Sequence, residues 1–331
     1  MAKPKKGTES QRYGIGEWYG HILADLDSHS RLKFSAIGGR SQSVLPCPFR
    51  LAADPGAICK KKGGVCTLRR HAKDENGSVS ATGPFVTLCP SRFWSNNDLF
   101  RWVGTELLGV ELPTLVKEVQ FLSSIVDEGE DDGVPVGRID TILVDPNNRR
   151  NWCALEMQAV YFSGDSMSSH FAQYAGGETE LFFPDKNRRP DFRSSGPKRL
   201  MPQLQIKVPT LRRWGKKMAV VIDRPFLNSL GKMISVKDVS NADIAWFVVD
   251  YEQATGAIHL AETIFTTLEN SVEALTAGIP LSLPRFESEI DRFLDAKNKK
   301  LRSKVIRLNE PPERSSDGGS SLKDGAELPP E

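Results

Sequence analysis

Two periods of apolar spacing run through the chain, and the two-residue period is clearest near its centre. Residues 138–144 (Arg-Ile-Asp-Thr-Ile-Leu-Val) and 152–161 read as short apolar strands, with Asp145-Pro146-Asn147-Asn148 supplying the turn between them. Along the second strand Ala154, Glu156 and Gln158 share one face, and Leu155, Met157 and Ala159 take the other. Each strand thus carries an acid, Asp140 or Glu156, where its neighbours predict a core. The runs at 218–222 and 244–251 are apolar throughout and predict strands in the middle of a sheet. Residues 112–125 predict a strand with Val116, Glu118 and Gln120 on one face, and residues 203–208 a short one. Leu99, Trp102, Val103 and Leu107 recur at helical spacing within 91–109, where Trp94 and Trp102 read as core. Further helices are expected at 167–174 after the Ser163-Gly164-Asp165 start, at 225–233, and as amphipathic segments at 260–277 and 284–301. The pattern predicts an α/β fold with a mixed central sheet flanked by helices.

The segments between these elements divide the chain. Residues 1–12 and the Pro-, Gly-, Ser- and acid-rich stretch 306–331 are expected to be disordered. Between them lie an N-terminal region, 13–110, that holds four of the five cysteines, and a core region, 111–305. The acidic run 127–132 reads as a solvated hairpin loop, and 186–199, with Pro and Gly and no periodicity, as a loop. No run of eighteen apolar residues predicts a membrane span. The basic start has no apolar stretch behind it and is not a secretory signal, so a cytoplasmic location is expected.

The net charge of +2 says little, but its distribution says more. Residues 186–217 hold eleven basic side chains against the single acid Asp191. That segment suits a polyanion such as nucleic acid, with Arg188, Arg189, Arg193, Lys198, Arg199, Arg212 and Arg213 as candidate contacts to phosphates or guanine edges. A solvated loop is the alternative.

Cys47, Cys59, Cys66 and Cys89 are separated by eleven, six and twenty-two residues, and turn-forming Pro or Gly stands beside three of them. Three fates are open: buried free thiols, disulfides, or one closed tetrahedral four-sulfur site. The turns favour the third, in which zinc or a single iron would be structural. Cys153, inside the second central strand, reads as a core residue.

Two carboxylates on adjacent strands can hold Mg²⁺ and leave positions for phosphate and water, and a polar group two residues beyond the second lies on the same face. Asp140, Glu156 and Gln158 have that arrangement, with a satisfied polar network involving Arg138 or Arg150 as the alternative. The pattern resembles the PD-(D/E)XK nuclease superfamily. The cysteines in Leu45-Pro46-Cys47-Pro48-Phe49, Gly64-Val65-Cys66-Thr67 and Leu88-Cys89-Pro90-Ser91-Arg92 are similar to those of NotI-type Type II restriction endonucleases. This resemblance covers roughly residues 14–300. It implies a restriction-endonuclease-like core, a homodimer cutting a GC-rich palindrome, catalytic Mg²⁺ on Asp140 and Glu156, and structural iron on the four cysteines. It also implies Gln158 as the third motif member and Glu118 as an additional upstream acid. Ile139 replaces the motif's proline, which does no chemistry. Gln158 replaces its lysine, which leaves the motif without a cationic amine. A non-catalytic, metal-stabilised DNA-binding protein on a dead nuclease fold is the rival reading.

Overall fold

In the computed structural model the described residues are 10–38, 45–95, 97–124, 135–278 and 281–306. The acidic run 127–132 and the tail from 307 onward lie outside them. Contacts divide the chain into a unit ending at Gly278 and a second beginning at Ile279.

The first unit opens with β1 (Ser10–Trp18), β2 (His21–Ile22), α1 (Ser28–Gly38), β3 (Val65–Lys73) and β4 (Val79–Thr87). Residues 10–12, expected to be disordered, are instead the start of β1, paired with Lys73, Ala72 and His71 of β3. These strands form a four-stranded sheet in the order β2-β1-β3-β4. There follow α2 (Asp98–Leu108), β5 (Thr114–Ser123), β6 (Pro135–Asp145), β7 (Asn148–Met157), β8 (Tyr161–Ser163), α3 (Ser168–Ala172), β9 (Arg189–Asp191) and α4 (Phe192–Ser195). A π-helical turn at Gly196–Leu200 leads into α5 (Met201–Arg213). The unit closes with β10 (Met218–Asp223), α6 (Arg224–Ser229), β11 (Ile244–Tyr251), β12 (Ile258–Thr266) and α7 (Leu268–Thr276). In the second unit, α8 (Leu283–Leu294) carries Leu283, Phe286, Ile290 and Leu294 at helical spacing, and α9 (Lys299–Arg302) follows; the expected single helix over 284–301 is thus two.

The central sheet has six strands in the order β12-β11-β10-β7-β6-β5. β10 runs parallel to both β7 and β11, and the other pairs are antiparallel, so the sheet is mixed as the pattern predicted. Its two faces follow from the two-residue period. Ala154, Val220, Ile222, Trp246 and Val248 enter one core, while Cys153, Leu155, Ala219, Val221, Phe247 and Val249 enter the other. Leu200, Leu204, Val208 and Leu211 from α5 and the turn before it cover the first face. Leu99, Phe100 and Val103 of α2 cover the second. Each fully buried leucine contributes roughly 1.5–3 kcal/mol, so both layers are held by the apolar stripes of their helices.

Three further expectations are corrected. Residues 186–199, expected as a loop, hold β9, α4 and most of the π-helical turn, because the Asp191 carboxylate accepts from Ser194 N and caps the helical start. Residues 203–208 are helical. Their Leu204, Ile206, Val208 alternation imitates a strand, yet Ile206 is 57% exposed and the buried positions are Leu204, Lys207, Val208 and Leu211. Residues 260–277 are not one helix, because 258–266 pair along β11 and α7 starts only after Thr267, whose hydroxyl accepts from Asn270 N.

The end of β4 ties the two sheets together. Val160 N donates to Thr87 O at 2.7 Å, and Thr87 N donates to the Asp223 carboxylate at 2.6 Å. Leu88 and Pro90 are thereby carried to the end of β7, where they form one wall of a cavity.

Candidate active site

β6 and β7 meet in a tight hairpin in which Thr141 faces Leu155 and Ile142 faces Ala154. Continued by one residue, that register sets Asp140 opposite Glu156. On its other side Glu156 pairs with Val220 of β10. The backbone N–H of Gln158 donates to Val221 O at 2.9 Å, so the parallel pairing extends one step past β7 and keeps Gln158 on the face of Glu156. The Gln158 amide donates to Ala159 O at 2.5 Å. Asp140, Glu156 and Gln158 line one cavity of about 500 Å³, together with Lys61, Tyr161, Arg199 and Gln203. Asp140 is exposed, whereas Glu156 and Gln158 are 5% and 7% exposed.

A buried carboxylate needs a cation. Burial raises the pKa of Glu156, neighbouring Asp140 raises it further, and Lys207 opposes both. The Lys207 ammonium donates to Glu156 Oε2 at 2.8 Å and to Gln203 Oε1 at 3.1 Å. Lys207 is itself 7% exposed, on the apolar stripe of α5 one turn from Leu204 and Leu211. The expectation that the site lacks a cationic amine is therefore corrected: one is supplied from a helix 51 residues away in sequence. Its sequence signal is a lysine at a helical core position, which the strand reading of 203–208 hid.

Glu118 stands apart. Its left-handed φ of +54° turns it out of the strand pattern. Its side chain is 73% exposed and pairs with Arg138 at 3.3 Å, and among the described residues no side-chain hydrogen bond or ion pair joins it to Asp140 or Glu156.

The basic candidates divide. Arg199 lies 3.7 Å over the Tyr161 ring at the cavity. Arg189, Arg193, Lys198 and Arg213 are exposed. Arg188 is not available to DNA, because its side chain is fully buried. Its guanidinium donates to Asp165 O, Ser166 O, Ser169 Oγ and Asp185 Oδ1. Arg212 is held by Asp243 and Glu269.

Three of the four N-terminal cysteines are electrostatic neighbours. Burial pushes the Cys66 thiol well up, and Cys89 and Cys59 add to the rise. Cys66 O accepts from Cys89 N at 3.2 Å. Consecutive left-handed glycines, Gly63 and Gly64, make the turn before Cys66; a Cβ at Gly64 would overlap the Tyr19 ring at 2.3 Å. Cys47 and Cys59 flank the Pro46–Ile58 bridge. Burial lowers the pKa of Lys61, while Cys89, Cys66 and Cys59 oppose the shift. The donor chemistry fits a soft cation, but among the described residues no three His, Cys, Asp or Glu side chains converge into a metal-binding group. Asp140 and Glu156 could likewise hold a hard cation, since two carboxylates are the sparse donor set that Mg²⁺ takes beside phosphate and water. Cys153 is buried in the core, its thiol pushed up to about 12. No described helix is long and apolar enough to cross a membrane.

A search of curated proteins finds no match to this chain. The family described as "Restriction endonuclease NotI" matches residues 32–261, a span that includes Cys47, the central hairpin, the cavity and α5. The chain belongs to the NotI restriction endonuclease family, whose members are Type II site-specific deoxyribonucleases acting on DNA.

Proposed function

We propose that the protein is a Mg²⁺-dependent Type II restriction endonuclease that hydrolyses double-stranded DNA at a GC-rich palindrome. The observation that carries this reading is the convergence of Asp140, Glu156, Gln158 and Arg199 on one cavity in a chain of this family. Asp140 and Glu156 would hold the ion. When bound, Mg²⁺ supplies Lewis acidity to the scissile phosphate and acidifies water. The Gln158 amide orients the attacking water. Arg199, with Arg189, Arg193, Lys198 and Arg213, neutralises the phosphates that bring the duplex to the cavity. Glu118 stays a candidate additional acid only if its side chain leaves Arg138.

A palindromic target calls for a two-fold homodimer that presents two such sites to the two strands. Cys47, Cys59, Cys66 and Cys89 would hold a structural iron, or zinc, and the mutual proximity of Cys59, Cys66 and Cys89 supports that assignment. The sequence reading of a cytoplasmic protein fits a restriction enzyme.

The test is plasmid DNA incubated with and without Mg²⁺, wild type beside Glu156→Ala. Discrete Mg²⁺-dependent fragments that vanish in the variant support the reading. Binding without cleavage across several divalent metals and DNA sequences would leave the protein as a DNA-binding module.

A further inference from the structure

We propose that Lys207 is a positioning residue of this site, holding from α5 one oxygen of the Glu156 carboxylate in a motif that has Gln158 where the superfamily has lysine. The inference rests on the nuclease reading above. Its basis is geometric. Lys207 reaches Glu156 Oε2 at 2.8 Å from the layer packed on that face, so this oxygen is held while the carboxylate stays beside Asp140 in the cavity lining. Gln203, one turn earlier on the same helix, accepts a second ammonium proton at 3.1 Å and also lines the cavity. Leu204, Val208 and Leu211 are buried around Lys207 on the helix and fix where it can reach.

A lysine that merely held the fold together would, on removal, weaken everything at once. A positioning lysine has a different signature. It is a cation beside two carboxylates, so removing it leaves the pair at least as attractive to a divalent ion while loosening the oxygen that must be aimed. Lys207→Met should therefore bind Ca²⁺ as tightly as wild type or more tightly, as read by titration calorimetry. It should hold target DNA in Ca²⁺ within about threefold of wild type, and cut it in Mg²⁺ about 100-fold more slowly in single turnover. Lys207→Arg, which keeps the charge on a longer fork, should recover part of that loss. Moving the amine, with Gln158→Lys in Lys207→Gln, should restore at least tenfold over Lys207→Gln alone.

Wild-type cleavage with undiminished cleavage by Lys207→Met overturns this inference and leaves the nuclease reading standing. Parallel loss of Ca²⁺ affinity, DNA affinity and cleavage, or failure of both Lys207→Met and the relocated variant to fold, also overturns it. A wild type that cuts no DNA overturns the nuclease reading and the inference with it.

Discussion

Acidification should destabilise this protein through a histidine that has no part in the proposed chemistry. His170 of α3 is fully buried, and neither ring nitrogen has a hydrogen-bond partner among the described residues. Its ring lies 5.8 Å from that of His71 and 5.7 Å from that of Tyr174. Burial, aided by His71 and Arg188 and opposed only by Asp185, drives its pKa from 6.5 down to about 3. The folded state therefore takes up this proton less readily than the unfolded chain. The resulting stability is complete above the unfolded value of 6.5 and is lost as pH falls towards 3. At 1.36 kcal/mol per unit, moving from pH 6.5 to 5 costs about 2 kcal/mol, or about 3–4 °C in Tm for a unit that ends at Gly278. His170→Leu, similar in volume and without a titrating group, should fold at pH 7.5 with a change under about 1.5 kcal/mol. Thermal melts of both proteins from pH 7.5 to 5 check the point. The wild-type Tm should fall relative to the variant by the stated amount. Parallel curves would refute the reasoning. The comparison must be between variants, because Asp223 has the opposite sign: burial raises it to about 6, so its contribution is present at low pH and is lost as pH rises through 6.

Other expectations follow from the site. Asp140→Asn and Glu156→Gln should each reduce single-turnover cleavage at least 100-fold while DNA binding in Ca²⁺ persists. Arg199→Ala should lower the salt slope of DNA affinity by about one, measured by fluorescence anisotropy between low and physiological salt, and an unchanged slope would place the phosphate contact elsewhere. Arg188→Met should leave that slope alone but cost about 3 kcal/mol in denaturant unfolding, since it strips a buried guanidinium from its acceptors. Cys66→Ser should reduce bound iron or zinc and lower Tm; wild-type protein with neither metal by elemental analysis would remove the four-cysteine proposal.

The hairpin was the most legible part of the sequence. Its turn residues, its two-residue period and its acids at 140 and 156 are local signals, and local signals survive folding. The runs at 218–222 and 244–251 were readable for the same reason, being buried on both faces. Lys207 was not readable. Its role depends on α5 crossing the face of β7, and the accidental alternation of Leu204, Ile206 and Val208 suggested a strand. Residues 258–266 misled in the opposite direction: β12 is an edge strand, half exposed, so its apolar pattern is diluted and merges with the helix that follows. The arginines of 188–213 look alike in sequence. Only the fold separates Arg188, which organises the 165–188 segment, from Arg199, which stands at the cavity.

The most direct measurement of the central claim is the sequence of DNA ends produced by the purified protein in Mg²⁺. The ends should be confined to one GC-rich palindrome, at symmetrical positions on the two strands, with none from Glu156→Ala. Ends scattered over unrelated sequences, or intact DNA with wild-type protein, would contradict that claim.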